Sequence, residues 1–128
     1  ETFPAATPRF DGFSPYQQIP FQYSLYILDS PKAELKHFEF LHTKNSDPSE
    51  AFGKSLQANI KKTGSIIVWS KKFECGINNE LAQRLPQFKN FITLLNARVY
   101  DLMEIFGNQH YVHKDFKGKF LLKMCCRC

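Results

Sequence analysis

The stretch Ser65-Ile66-Ile67-Val68-Trp69-Ser70-Lys71-Lys72-Phe73-Glu74 decides how the rest is read, because an apolar run gives way there to charge and then to helical spacing. Ile66 to Trp69 are β-branched or aromatic with no polar alternation, the pattern of a strand covered on both faces and placed mid-sheet. Ser70, Lys71 and Lys72 break the run. Apolar residues then recur at Ile77, Leu81 and Leu85 until Pro86, so a helix beginning near Glu74 is predicted. Glu74 therefore stands where a central strand ends and a helix begins, the edge at which open α/β sheets gather ligands. The competing reading is a first-turn Glu facing the positive end of the helix dipole.

Upstream, the residues to Pro20 carry Pro4, Pro8, Pro15 and Pro20 with Asp11-Gly12 between them, which reads as an extended, turn-rich loop without regular structure. Phe10, Phe13 and Tyr16 are expected to pin it to the surface. Phe21 to Leu28 alternates, with Phe21, Tyr23, Leu25 and Ile27 on one face. This predicts a strand. After the turn at Asp29-Ser30-Pro31, Leu35 to His42 alternates as its antiparallel partner, Phe38 and Phe40 opposing His37 and Glu39. Asp47-Pro48-Ser49-Glu50 is a helix start, with a capping Asp, a Pro at the first helical position and a Glu three residues after the cap. Phe52, Leu56 and Ile60 form the buried face of that helix, and Gly64 is its expected stop.

Downstream of Pro86, Phe88, Phe91, Ile92 and Leu95 mark a further helix, and Arg98 to Met103 a short strand with Asp101 near its end. Asp101 is either a carboxylate facing the site or a cap for the next turn. Gly107 to Gly118 reads as a loop and Lys119 to Lys123 as a last strand. The order of elements predicts one mixed α/β sheet with helices packed against it.

The chain has 128 residues, enough for one domain with a core of its own, and thirteen Phe with five Tyr predict that this core is rich in aromatic rings. No apolar run approaches the ~20 residues needed to span a bilayer, and ETFPAATPRF has no signal core, so a soluble, cytoplasmic protein is expected. The formal charge is +5. Lys114, Lys117, Lys119, Lys123 and Arg127 place much of it near the C-terminal end, where it could meet phosphate or simply be solvated. The cysteines form no disulfide framework. Cys125, Cys126 and Cys128 lack the paired spacing of a zinc ribbon, so zinc is not expected.

The opening ETF, the segment PRFDGFSPYQQIPFQYSLYILD, then FEFL, DPSEAF, SIIVWSKKFE with its following EL, and YDLM resemble an uncharacterised bacterial family, a domain of unknown function. That family in turn is similar to the RNase H-like, DEDD-type 3'-to-5' exonucleases. The likeness runs in order to about Lys123, and PYQQIPFQYS is its most specific part. It implies an RNase H-like, exonuclease-type sheet, incomplete in this chain. It also implies two divalent cations, magnesium or manganese, held by carboxylates from separated motifs to activate the attacking water and steady the leaving oxygen.

By that resemblance Glu1 matches the last acidic position of the first, Asp-x-Glu motif, and Phe73-Glu74 matches the second. Ser70 stands where the second motif carries an Asn. Glu1 and Glu74 are then the expected catalytic metal ligands, Asp101 a further candidate, and Lys71 and Lys72 lie near the phosphate path. The first-motif Asp and the third motif are expected outside the chain, which leads to a reading of a chain truncated at both ends and inactive alone. His110 and Asp115 have the separation of a third-motif pair but no helical period around them, and are read as coincidence; His113 is read as a solvated loop residue. The alternative function is a non-catalytic RNase H-like module that binds nucleic acid or protein.

Overall fold

The computed structural model describes residues 1–116. The expected last strand at Lys119–Lys123 and the cluster of Cys125, Cys126 and Cys128 lie outside the described residues. The chain begins with strand β1 (Thr2–Pro4), which pairs antiparallel with β2 (Gln18–Pro20) in the register Thr2 to Pro20, Phe3 to Ile19 and Pro4 to Gln18. This corrects the expectation of an irregular opening. Both prolines of the ladder sit at its ends, where a missing N–H breaks no interior bond. Of the three aromatic pins, Phe13 is buried and Phe10 half-buried, but Tyr16 is 70% exposed.

Strands β3 (Gln22–Ile27) and β4 (Lys36–Leu41) form the expected antiparallel pair, with Tyr23 opposite Phe40 and Leu25 opposite Phe38. Asp29 accepts from Lys36 and from Lys61, tying the hairpin turn to the chain beyond the next helix. These two cations, Lys61 first, hold its carboxyl below the usual value. Helix α1 (Ser49–Asn59) opens as its sequence predicts: Asp47 Oδ1 accepts from the Ser49 N–H at 2.9 Å, and Pro48 has helical backbone angles. Glu50 does not reach back to the cap. It pairs with Lys54 one turn on, at 2.7 Å. The helix ends at Asn59, before Gly64, whose φ of +97° serves the turn into β5 (Ile66–Val68).

Helix α2 (Lys71–Arg84) starts three residues earlier than the apolar spacing indicated, because Ser70 adopts the extended N-cap conformation. A single 3-10 turn, Pro86–Phe88, leads into α3 (Lys89–Asn96), then β6 (Val99–Asp101) and a short helix α4 (Met103–Gly107) that the spacing had not predicted. Lys114–Phe116 closes the described chain with one 3-10 turn.

The predicted single mixed sheet is replaced by three two-stranded ladders, β1–β2, β3–β4 and the parallel β5–β6. β5 is therefore not central: among the described residues its hydrogen-bonded neighbour is β6, and Ile67 is 68% exposed. Four apolar residues in a row were compatible with a strand covered on both faces. In the fold the strand is three residues long, and its middle side chain projects from an open face alongside Tyr100, its register partner.

What joins the ladders is side-chain packing. Phe52 and Leu56 of α1, Leu81 of α2, Phe88, Ile92 and Leu95 around α3, and Val99 of β6 form one buried cluster. Tyr23 and Phe40 meet it from the hairpin, each edge-on to Phe52 at 5.5 and 5.8 Å. Phe52 and Phe88 are the aromatic members of this otherwise aliphatic cluster, and Tyr23, Phe40 and Phe91 pack against it, so rings contribute to the core without making up most of it. α1 and the Phe88 turn approach so closely that a Cβ at Gly53 would stand 2.7 Å from a Phe88 ring carbon. Among the described residues no helix is long and apolar enough to cross a membrane.

Candidate functional site

The parallel register of β5 and β6 sets Val68 beside Asp101, so both strands end at one rim. The ladder runs on past them: the Leu102 and Met103 N–H groups donate to the Val68 and Trp69 carbonyls at 2.8 and 3.1 Å. From this rim α2 departs on one strand and α4 on the other. Asp101 fastens both starts, its Oδ2 accepting from the Lys71 N–H at 3.0 Å and its Oδ1 from the Met103 N–H at 2.9 Å. Its capping role is thus the one the fold displays, with a negative charge at two helix N-termini. Ser70 Oγ adds a longer contact from the Phe73 N–H at 3.5 Å.

Glu74 occupies the first turn of α2. Crowding around its carboxyl raises its pKa, and the N-terminal ammonium of Glu1 pulls the other way. As a whole residue Glu74 is exposed, so the withdrawal from water is partial. Backbone pairing holds the first residue at the start of β3: the ammonium donates to the Gln22 carbonyl at 2.6 Å, and the Glu1 carbonyl accepts from Phe21 at 3.1 Å.

Lys71 and Lys72 are exposed in the same first turn. Cations are unfavourable at the positive end of a helix dipole, and at this end of α2 the carboxylates of Asp101 and Glu74 stand against them. His110 is exposed in the turn after α4, as a loop residue is expected to be. His113 is half-buried with its ring 5.9 Å from Phe116, so it packs rather than standing in solvent.

A divalent cation of the hard type requires oxygen donors. Among the described residues no group of three or more His, Cys, Asp and Glu is arranged to hold a metal ion. The rim offers Glu74 in the first turn of α2, and Asp101 already engaged by two N–H groups. That set is small for a protein cage.

Compared with known proteins, the chain matches no curated protein and no solved structure. The family described as Domain of unknown function (DUF2779) matches over residues 1–120, nearly the whole length. The chain belongs to that family.

Proposed function

We propose that this domain acts on nucleic acid as a metal-dependent phosphodiesterase of the RNase H-like, 3'-to-5' exonuclease type, with Glu1 and Glu74 as its acidic residues. The observation that carries the reading is the setting of Glu74, an acid partly withdrawn from water in the first turn of the helix that leaves the rim where two parallel strands end. A magnesium or manganese ion bound there would supply charge to the scissile phosphate and its attacking water. Asp101 positions the α2 and α4 starts by its two backbone hydrogen bonds. Lys71 and Lys72 attract the phosphate backbone without reading sequence. The test is digestion of labelled single-stranded DNA and RNA with manganese, comparing the parent with Glu74→Gln. Ladder-like shortening from the 3' end that Glu74→Gln loses supports the proposal, and equal digestion by both removes Glu74 from the chemistry.

A second reading is favoured by the lack of a three-ligand metal group among the described residues. It makes the domain a non-catalytic module that binds nucleic acid or protein. Salt-dependent oligonucleotide binding without manganese-dependent cleavage would select it.

A further inference from the structure

A cleft of about 320 Å³ opens between β1, the Pro-rich segment, the start of β3 and the connection from β4 to α1. Phe3, Phe10 and Phe21 line it with Arg9, His42 and Lys44. The three phenylalanines are half-buried, so each keeps ring surface open to solvent. They are also held in place. The Phe3 and Phe21 rings meet at 5.6 Å with a 56° tilt, and Phe10 rests edge-on against buried Phe13 at 6.3 Å. The Arg9 guanidinium carbon lies 5.9 Å from the centre of the Phe3 ring, and His42 Nε2 bonds Ser46 Oγ at 3.1 Å. Among the described residues, none of those lining the cleft is acidic.

Aromatic faces beside cations, without carboxylates, complement a ligand that joins a flat ring to a negative charge. A nucleobase with its phosphate has that chemistry. The volume stands at the low end of the ~300–1,000 Å³ typical of ligand pockets, room for about one nucleotide. A duplex hides its base faces in the stack, whereas a single strand can splay a base onto an aromatic ring. The geometry points to a binding site for a nucleotide unit of single-stranded nucleic acid, its base against Phe3, Phe10 and Phe21 and its phosphate toward Arg9 and Lys44. Glu1 is two residues from Phe3 along the extended chain, so a strand lying here adjoins the residue assigned to the cation site. The inference shares its substrate class with the proposed nuclease but needs neither metal nor cleavage.

The test is fluorescence anisotropy of a labelled ten-nucleotide oligothymidylate in EDTA, across a series of salt concentrations, so that loss of cleavage cannot register as loss of binding. The variants are Arg9→Ala/Lys44→Ala, Phe10→Leu, and Lys62→Ala as an exposed lysine away from the cleft, each checked by thermal melting. Removing two phosphate contacts should flatten the plot of log K against log salt by about 1.4, at roughly 0.7 per contact for single strands. Phe10→Leu, which keeps the apolar volume but not the aromatic face, should weaken binding about tenfold, at 1.4 kcal/mol per decade. Lys62→Ala should bind like the parent. The inference fails if the parent does not bind in EDTA at low salt, if Lys62→Ala weakens binding as much as the double variant, or if Phe10→Leu binds unchanged. It also fails for a strand if thymidine monophosphate competes as well as the oligonucleotide at equal nucleotide concentration.

Discussion

Replacing Arg84 with Ala should loosen the joint between the N-terminal segment, α1 and α2. Arg84 donates to Ser49 Oγ at 2.8 Å and to Asp47 Oδ2 at 2.9 Å. Its guanidinium carbon also lies 3.5 Å from the centre of the buried Phe13 ring. A hydrogen bond to a charged group is worth about 1.5–3 kcal/mol and a cation over a ring about 0.5–2 kcal/mol. These do not simply add, because the Asp47 side chain is 36% exposed and that of Arg84 20%, so water screens part of the attraction. A net loss of about 2–3 kcal/mol is expected for Arg84→Ala. In urea unfolding with a slope near 1.5 kcal/mol per molar, the midpoint then falls by about 1–2 M.

The same joint has a pH signature. Burial would raise the Asp47 carboxyl, but hydrogen bonds from Ser49 and Arg84 outweigh it and hold the group below its ordinary value. A carboxyl depressed in the folded state stabilises above its unfolded pKa, and that stabilisation is lost as pH falls through the folded value. The gap between parent and Arg84→Ala should therefore be full at pH 7 and narrow below about pH 4. A double-mutant cycle with Asp47→Ala should return a coupling of about 1 kcal/mol. If Arg84→Ala unfolds within 0.5 kcal/mol of the parent at pH 7, the joint carries no such stability and the reasoning is refuted.

Other perturbations follow from single contacts. Gly53→Ala should lower stability by about 1–3 kcal/mol in a thermal melt, since the new methyl would overlap the Phe88 ring that the α1 approach already crowds. Asp101→Ala removes acceptors from the starts of α2 and α4 and should cost about 1–2 kcal/mol, which urea titration would read; no change would mean the caps are idle. Glu74 has the opposite sign to Asp47. Its raised folded pKa means that folding disfavours its ionised form, a penalty that appears as pH rises through that value, so Glu74→Gln should melt higher than the parent at pH 7 and equal to it in acid.

Local chemistry was legible where it acted over a few residues. Asp47-Pro48 announced the start of α1, the alternation from Tyr23 to Phe40 announced a hairpin with its faces in the observed register, and Ile77 and Leu81 named the buried side of α2. Pairing between ladders was not legible. Ile66-Ile67-Val68 is as apolar as a central strand, and nothing in those three letters tells that Ile67 projects from an open face. The prolines at positions 4 and 20 masked β1 and β2, because a two-stranded ladder tolerates proline at its ends. At the candidate site, the strand-to-helix position of Glu74 followed from the periodicity, and Asp101 sat at its strand end as read. The Arg84 joint and the aromatic cleft depend on residues more than thirty positions apart, and no spacing rule reaches that far.

The nuclease proposal rests on Glu74, together with the first residue, holding a divalent cation at the end of β5. Paramagnetic broadening of backbone amide signals by sub-stoichiometric manganese measures this directly, without requiring turnover. Signals of Thr2, Lys72 to Cys75 and Leu102 should broaden first, and Glu74→Gln should abolish the effect while the other spectral positions hold. If those signals stay sharp while manganese broadens others, or if Glu74→Gln broadens like the parent, the cation does not sit at Glu74 and the nuclease reading falls with it.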